Sequence, residues 1–453
     1  MNKTMKKFLN ISLLSLVALA ACSLASCSNE VEDIFDEDAV ARLDKAKAEY
    51  TDILTSDGGK WQLEYFANDE EPGYIYLMTF SKDGSVVISG ANKWINYIQS
   101  GSLNTPAYGT ELSMWEVIAD NGPVLSFNTY NKYFHIFADP YDIPSMGSAQ
   151  TDTDVNEDGY GHEGDYEFDI MKYSGDTLYL TGKKYNLNMI MTRVASTVED
   201  EVYMNEVVAM ADSFFNSKIP QVYINLPNGQ RWIVKEGASS ILKMFREGDD
   251  EISTAEHHNV IITHNGLSFM DAQTLDGYVI KNFIRQADGS LLCRDDNQTT
   301  ITADELGAIF TNKTFIWRSE PGSGSGIFAT LYTQIAEELK AYNKSTLNYV
   351  QIAYDEATST YLLSFNIKKG SVRYNPTYYL TLTSADDTQV AFTAAAEGDR
   401  YGETYASNCP SIRQFVDELA GTLNLSANSL LAPVNMKLTQ SGSADNFVIF
   451  NLQ

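Results

Sequence analysis

The chain reads Tyr166-Glu167-Phe168-Asp169-Ile170 just beyond its first third, with apolar residues alternating with acids. Alternation of this kind places the apolar side chains on one face of a β-strand and the acids on the other. The dipeptides Asp83-Gly84 and Gly175-Asp176 supply the residues that tight hairpin turns need. The pattern therefore predicts antiparallel strands with one buried face and one solvated face.

Eight more short runs rich in β-formers surround this strand, and turn residues separate them. Together the nine predicted strands are Trp61–Phe66, Tyr74–Phe80, Val86–Ser89, Met114–Ile118, Val124–Thr129, Tyr133–Ala138, Tyr166–Lys172, Thr177–Thr181 and Leu187–Thr192. Nine strands at this spacing predict a closed or nearly closed antiparallel barrel.

The remaining residues predict a mainly β protein with a few helices, which is a β-rich α+β class. Apolar spacing predicts helices over Asp36–Leu54, Glu199–Ser217 and Ile327–Tyr342. The glycine and serine run Gly322–Gly326 is the best candidate for a linker. The expected organisation is a signal peptide (1–26), a tether with an amphipathic helix (27–58), a barrel domain (59–197), a linking helix with a second β-rich domain (198–322), and an α+β domain (323–453).

The first 27 residues predict secretion and a lipid anchor. Three lysines precede a mainly apolar run from Phe8 to Ala21, which is too short to span a membrane permanently. Small residues precede both Cys22 and Cys27, as a lipoprotein signal peptidase requires. Cys27 is favoured as the lipidated residue because acidic, tether-like residues follow it, and Cys22 is the alternative. We therefore expect a lipid-anchored protein at the outer membrane, facing the periplasm or the cell surface.

The composition limits the classes of partner. The chain has 60 acidic and 32 basic residues and a net charge of −28, which repels nucleic acid. Hydrophobic residues make up 44% of the sequence, enough for packed cores. Beyond the signal region only Cys293 and Cys409 remain, and both a disulfide and two buried thiols stay open.

One acidic segment has the spacing of a calcium loop. Between Asp154 and Asp165 it follows D-x-N-x-D-G-x5-D, with candidate ligands Asp154, Asn156, Asp158, the carbonyl of Tyr160, and Asp165. The alternative is a solvated hairpin loop, since acidic loops are common in so negative a chain. We expect no required cofactor, with calcium as the one candidate.

No pattern of catalytic residues stands out, so the sequence favours a protein that is not an enzyme. His257 and His258 are adjacent and would point to opposite faces of a strand, and H-E-x-x-H, G-x-S-x-G and Walker motifs do not occur. Trp94, Tyr97 and Tyr108 lie in a predicted loop, where they are candidates for stacking on a sugar ring. The alternative is that these three rings plug the core.

Two features resemble the lipocalin pattern. Gly59-Lys60-Trp61 opens the first predicted strand and Arg193 ends the last, and in lipocalins an arginine of the final strand covers such a tryptophan. The resemblance implies contact between Trp61 and Arg193, with Gly59 as part of the motif. The alternative is an ordinary core tryptophan.

Several segments resemble a family of lipoproteins of unknown function from gut anaerobes. They are Glu32–Asp36, Ala41–Leu43, Tyr74–Phe80, Gly122–Lys132, Gly164–Phe168 and the ending from Thr181 to Arg193. The resemblance implies a companion of outer-membrane nutrient-uptake proteins. We therefore expect a non-enzymatic binding or accessory protein for a small molecule, glycan or peptide. The alternatives are a secreted hydrolase with an unrecognised carboxylate site and a structural or adhesive surface protein.

Overall fold

The computed structural model describes residues 38–139, 143–144, 161–215, 221–237 and 241–453. Within these ranges the strands form three nine-stranded sheets, one after another along the chain. The protein is mainly β, as the alternating sequence predicts, and its sheets curl into barrels. No helix in the described ranges is long and apolar enough to cross a membrane.

The first unit begins with helix α1 (Ala39–Thr55), which is capped by Asp38 through a 2.7 Å hydrogen bond from the Ala41 N–H. Helix α2 (Lys93–Ser100) lies between its third and fourth strands. The strands are β1 (Lys60–Tyr65), β2 (Tyr74–Phe80), β3 (Ser85–Asn92), β4 (Ala107–Met114), β5 (Glu116–Ala119), β6 (Pro123–Ser126), β7 (Glu167–Ser174), β8 (Thr177–Gly182) and β9 (Asn188–Arg193).

This first sheet is a half-barrel. Its order is β4-β3-β2-β1-β9-β8-β7-β6-β5, so β1 pairs with β9, and β4 and β5 are the two free ends. Trp115 alone separates β4 from β5, and its backbone and indole N–H groups donate to the carbonyls of Gly84 and Ser85. The chain turns there, so β5 leaves β4 without pairing, and the expected closure is not reached.

The predicted strand Tyr133–Ala138 is wrong, because this segment contains a 3-10 helix at His135–Phe137. Two side chains cause the turn. The Asn131 side-chain oxygen accepts the N–H groups of Tyr133 and Phe134, and the Asn131 N–H donates to His135 Nδ1 over 3.0 Å. The turn buries Phe134 and Phe137 among the aromatic residues that fill the half-barrel.

The contact between Trp61 and Arg193 is present. The Arg193 guanidinium lies 4.2 Å from the centroid of the Trp61 ring, and the buried indole N–H donates to the Leu54 carbonyl at the end of α1. Gly59 adopts a left-handed conformation with φ +65°, and a side chain there would collide with the Phe80 carbonyl. These three residues join α1 to the sheet.

The second unit repeats the strand order of the first. Helix α3 (Asp200–Phe215) precedes it, and its sheet runs β13-β12-β11-β10-β18-β17-β16-β15-β14. The elements are β10 (Val222–Asn225), β11 (Arg231–Glu236), β12 (Leu242–Arg246), α4 (Glu251–Thr254), β13 (Glu256–His258), β14 (Val260–Thr263), β15 (Gly266–Leu275), β16 (Tyr278–Arg285), β17 (Leu291–Cys293), β18 (Thr300–Ala303) and α5 (Leu306–Asn312).

The third unit is a closed barrel. Its first strand pairs with its last, and a pairing between its second and third strands closes the ring. The elements are β19 (Phe315–Trp317), α6 (Gly326–Asn343), β20 (Thr346–Asp355), β21 (Thr360–Lys369), β22 (Val372–Tyr374), β23 (Thr377–Ala385), β24 (Gln389–Ala394), α7 (Arg400–Asn408), α8 (Pro410–Leu419), β25 (Gly421–Ala427), β26 (Asn435–Gln440) and β27 (Phe447–Leu452).

One hydrophobic core runs through the second and third units, from Met210 to Phe450. The run Gly322–Gly326 packs into this region. The Ser325 N–H donates to the Phe447 carbonyl, and the Ser323 hydroxyl accepts the Trp317 indole N–H over 2.9 Å. The run is therefore held by hydrogen bonds and is not the open linker that its composition predicts.

Candidate functional site

A cleft of about 680 Å³ lies between the first and second units. One wall is the outer face of β1, β8 and β9, and the other is formed by the loop after β14 and by β15 and β16. Polar and aromatic side chains dominate its lining; they include Gln62, Glu64, Thr177, Tyr179, Thr192, Arg193, Tyr203, His264, Ser268, Asn282 and Arg294. Its size and its place between two units are typical of ligand sites.

Alternation along β1 places two of these side chains in the cleft. Trp61, Leu63 and Tyr65 are buried inside the half-barrel, so Gln62 and Glu64 point to its outer face. An outer face of this kind is normally solvated, yet Gln62 is only 7% exposed, because α3 and the second unit cover it.

Helix α3 fixes the two walls relative to each other. Its Tyr203, Met204 and Val207 pack against Leu77 of β2 and Ile261 of β14 in a small separate core. The helix is anchored at its start, where Lys60 Nζ donates to Asp200 Oδ1 over 2.6 Å.

A direct backbone contact adds to this junction. The Gly73 N–H donates to the Val260 carbonyl over 2.8 Å. A Cβ on Gly73 would come within 2.8 Å of the Ile261 side chain, so only glycine permits this approach. These contacts between the two units therefore fix the shape of the cleft without a ligand.

A short chain of hydrogen bonds orders the polar groups of the cleft. The Tyr203 hydroxyl donates to Gln62 Oε1, and Gln62 Nε2 donates to Glu64 Oε1 over 3.3 Å. The His264 ring lies against the Tyr203 ring with 4.2 Å between the centroids. These contacts hold the Gln62 amide and the Glu64 carboxyl group in fixed orientations.

Burial shifts the ionisation of these groups toward their neutral forms. It raises the pKa of Glu64 from 4.5 to about 7, against the opposite effect of the Lys281 ammonium group. Burial likewise lowers the pKa of His264 and raises that of Tyr203. Near neutral pH the His264 and Tyr203 side chains are therefore neutral, and the Glu64 carboxyl group is close to the midpoint of its titration.

This arrangement suits recognition of a hydroxyl-rich molecule. Amide, carboxyl and hydroxyl groups with fixed directions can pair with several ligand hydroxyls at once. Glu64 is the one carboxylate among the described lining residues. Glycoside hydrolysis usually uses two opposed carboxylates.

A family model, described as a domain of unknown function (DUF4302), matches residues 31–287. The chain belongs to the DUF4302 family. The matched range contains the first unit and most of the second, and it includes both walls of the cleft except Arg294. It therefore covers Gln62, Glu64 and Tyr203, which are joined by hydrogen bonds in the cleft.

Other comparisons add no functional information. None of the curated proteins matches the chain. Among solved structures, the β subunit from the DNA polymerase of Streptococcus pyogenes aligns over 92% of this chain and 94% of its own, with 11% identity and a TM-score of 0.13. A likeness of this size carries no argument about fold or function.

The aromatic residues predicted to stack on sugars lie elsewhere. Trp94 belongs to α2 and is fully buried, and its indole N–H donates to the Tyr74 hydroxyl over 2.8 Å. The stacking prediction is wrong for Trp94, because the predicted loop is largely α2 and β4 and its indole is a core plug. Tyr97 and Tyr108 are half-buried, away from the cleft.

The sequence did not predict that His162 and Glu71 form a buried hydrogen-bonded pair next to Trp94. His162 Nδ1 lies 2.5 Å from Glu71 Oε1, and the Tyr74 hydroxyl donates to Glu71 Oε2 over 2.8 Å. Both His162 and Glu71 are almost fully buried. Since the two residues are 91 positions apart, no local motif could have joined them.

Four of the predicted calcium ligands, Asp154, Asn156, Asp158 and Tyr160, lie outside the described residues. The fifth, Asp165, is buried, and its two carboxylate oxygens accept the N–H groups of Lys184 and Tyr185. A calcium loop closed by Asp165 would have to replace these hydrogen bonds. In the described part of the chain, no three histidine, cysteine or acidic side chains are grouped as metal ligands. Calcium binding stays a prediction.

The described cysteines are not paired. Cys293 and Cys409 are both buried free thiols, which settles the choice that the sequence left open. Cys22 and Cys27 lie outside the described residues. His257 and His258 form part of the short strand β13, and the His258 ring is packed against a core residue, Phe269.

Proposed function

We propose that this protein is a non-enzymatic, lipid-anchored binding protein of the cell envelope that captures a neutral, hydroxyl-rich ligand such as a short glycan in the cleft. The observation that carries the proposal is the fixed chain from Tyr203 through Gln62 to Glu64, facing Asn282 and Ser268 across the cleft. The family resemblance adds the expectation that the protein serves an outer-membrane nutrient-uptake system. The resemblance to lipocalins, which the Trp61–Arg193 contact supports, adds a half-barrel as the scaffold.

Binding to the cleft can be tested by calorimetry with the purified full-length protein. Maltohexaose, cellohexaose, xylohexaose and mannohexaose serve as probes. We expect at least one to bind, and we expect Gln62→Ala and Asn282→Ala each to weaken it about tenfold, since each leaves a ligand hydroxyl without its partner.

A matched control is Asn408→Ala, which removes an exposed amide at the end of α7 and should leave the affinity unchanged. Absence of binding to all four probes, or equal binding by the cleft variants and wild type, would contradict a glycan site in the cleft.

The lipid anchor requires a separate experiment. Cys27→Ala should abolish metabolic labelling with a fatty-acid analogue and release the protein from the membrane, while Cys22→Ala should leave labelling intact. We expect this difference between the two variants because only Cys27 is followed by an acidic, solvated tether. Loss of labelling in Cys22→Ala alone would assign the anchor to Cys22.

A further inference from the structure

Three aromatic rings form a row near the end of β6 and the start of β7, outside the cleft. Tyr130 is 52% exposed and Tyr166 is 44% exposed. The buried ring of His135 contacts both, with centroid distances of 5.5 Å to Tyr130 and 5.0 Å to Tyr166. The interplanar angles are 34° and 38°, so each tyrosine ring is tilted against the His135 ring. We call this group the aromatic row.

Hydrogen bonds to the backbone hold the aromatic row in place. The Asn131 N–H donates to His135 Nδ1, so the proton of the ring lies on Nε2, which donates to the Phe127 carbonyl over 3.0 Å. The Phe127 N–H in turn donates to the Tyr166 carbonyl. Burial lowers the pKa of His135, so the ring is neutral. The row is therefore rigid and uncharged, which reduces the entropy lost when a ligand binds.

Polar side chains surround a hollow beside the row. The hollow has a volume of about 400 Å³, and Tyr166, Glu167, Lys183 and Tyr185 are among its lining residues. Lys183 is paired with Asp120 over 2.8 Å and lies 3.8 Å from Glu167. Tyr166 is shared by the row and the hollow, so one ligand could contact a ring face and these polar groups together.

The combination fits the chemistry of a sugar. A pyranose ring has a face of C–H groups that packs on an aromatic ring and a rim of hydroxyls that pairs with carboxylates and ammonium groups. Nucleic-acid bases also stack on tyrosine, but the chain's net charge of −28 repels their phosphates.

We propose that Tyr130 and Tyr166, held by the buried ring of His135 between them, form a second carbohydrate site that packs against sugar rings of a neutral polysaccharide. The inference rests on the proposed function, because it assumes a glycan-binding protein. It adds a site on a different surface, suited to an extended chain, while the cleft takes a short segment.

Native gel electrophoresis of the full-length protein in gels containing amylopectin, xylan, mixed-linkage β-glucan or galactomannan tests this site. We expect at least one polysaccharide to retard the wild-type protein. The double variant Tyr130→Ala with Tyr166→Ala should bind at least tenfold more weakly. Tyr166→Phe, which keeps the ring, should be retarded nearly as strongly as wild type.

Two controls separate this site from general damage to the protein. Tyr354→Ala removes another exposed tyrosine, on β20, and should not change the retardation. Melting curves that match wild type show that the double variant is folded.

Retardation of the double variant equal to that of wild type would overturn the proposal, as would a lack of retardation in every gel. If the short oligosaccharides do not bind but the wild-type protein is retarded and the double variant is not, the cleft proposal fails and the aromatic row stands. If the oligosaccharides bind and the double variant is retarded as strongly as wild type, the cleft proposal stands and the proposal for the aromatic row fails.

Discussion

Arg193→Ala is expected to lower the free energy of unfolding of the first unit by about 2–4 kcal/mol. The guanidinium donates to the Ser56 carbonyl over 2.8 Å, to the Ile53 carbonyl over 2.9 Å and to the Ser56 hydroxyl over 3.0 Å, and it also covers Trp61. Alanine would remove the cation–π contact and leave carbonyls at the end of α1 without donors. Urea denaturation followed by tryptophan fluorescence measures the loss.

Arg193→Lys is the matched variant. Lysine keeps the positive charge but cannot reach three acceptors with the planar geometry of a guanidinium, so we expect an intermediate loss. Lys82→Ala, which removes an exposed basic residue only 3.9 Å from Asp52, should change the free energy by less than about 0.5 kcal/mol. If Arg193→Ala also lowered the free energy of unfolding by less than about 0.5 kcal/mol, water would satisfy the carbonyls at the end of α1 in place of the guanidinium.

Glu64→Gln is expected to stabilise the protein at pH 8 by up to about 3 kcal/mol and to have little effect at pH 4. Burial raises the pKa of Glu64 in the folded protein to about 7 from the ordinary value of 4.5. The folded state therefore holds its proton more tightly than the unfolded state. Glutamine has a similar shape but carries no charge that burial would penalise.

The sign of the pH dependence follows from this difference. Below pH 4.5 both states of the wild-type protein are protonated, and Glu64 has no such cost. Stability falls as the pH rises from about 4.5 to about 7, and the full cost persists above that range. Melting temperatures of wild type and variant should therefore coincide at pH 4 and separate with rising pH.

Glu49→Gln, which neutralises an exposed acid on α1, provides the control and should show no comparable separation. If the melting temperatures of Glu64→Gln and wild type did not separate with rising pH, solvent or Lys281 would fully compensate the cost of burying the charged Glu64 carboxylate.

Much of the sheet structure could be predicted because local alternation determines it. Tyr74–Phe80 is a strand with the predicted ends, and the strand after Tyr166 has the predicted faces. The segment Tyr133–Ala138 has an equally apolar composition, but side chains of Asn131 and His135 bond to the backbone and turn it. Composition does not show such bonds.

The cleft could not be predicted for a related reason. On β1 the residues Gln62 and Glu64 alternate with apolar ones, which indicates a solvated face. The structure covers this face with Tyr203 and with residues from Thr263 to Asn282, about 200 positions away. A site formed by two units has no signature within either strand.

The first two sheets share a strand order in which the first strand pairs with the last. Trp61 meets Arg193 and Val222 meets Ala303, so each sheet is completed across roughly 80 to 130 residues, a topology that folds slowly. Until β9 has folded against β1, one edge of β1 has no partner strand and could pair with another chain. Lys60 and Glu64 carry charges on β1 that disfavour such pairing. The side chains that later shape the junction with the second unit thus also protect the chain from aggregation while it folds.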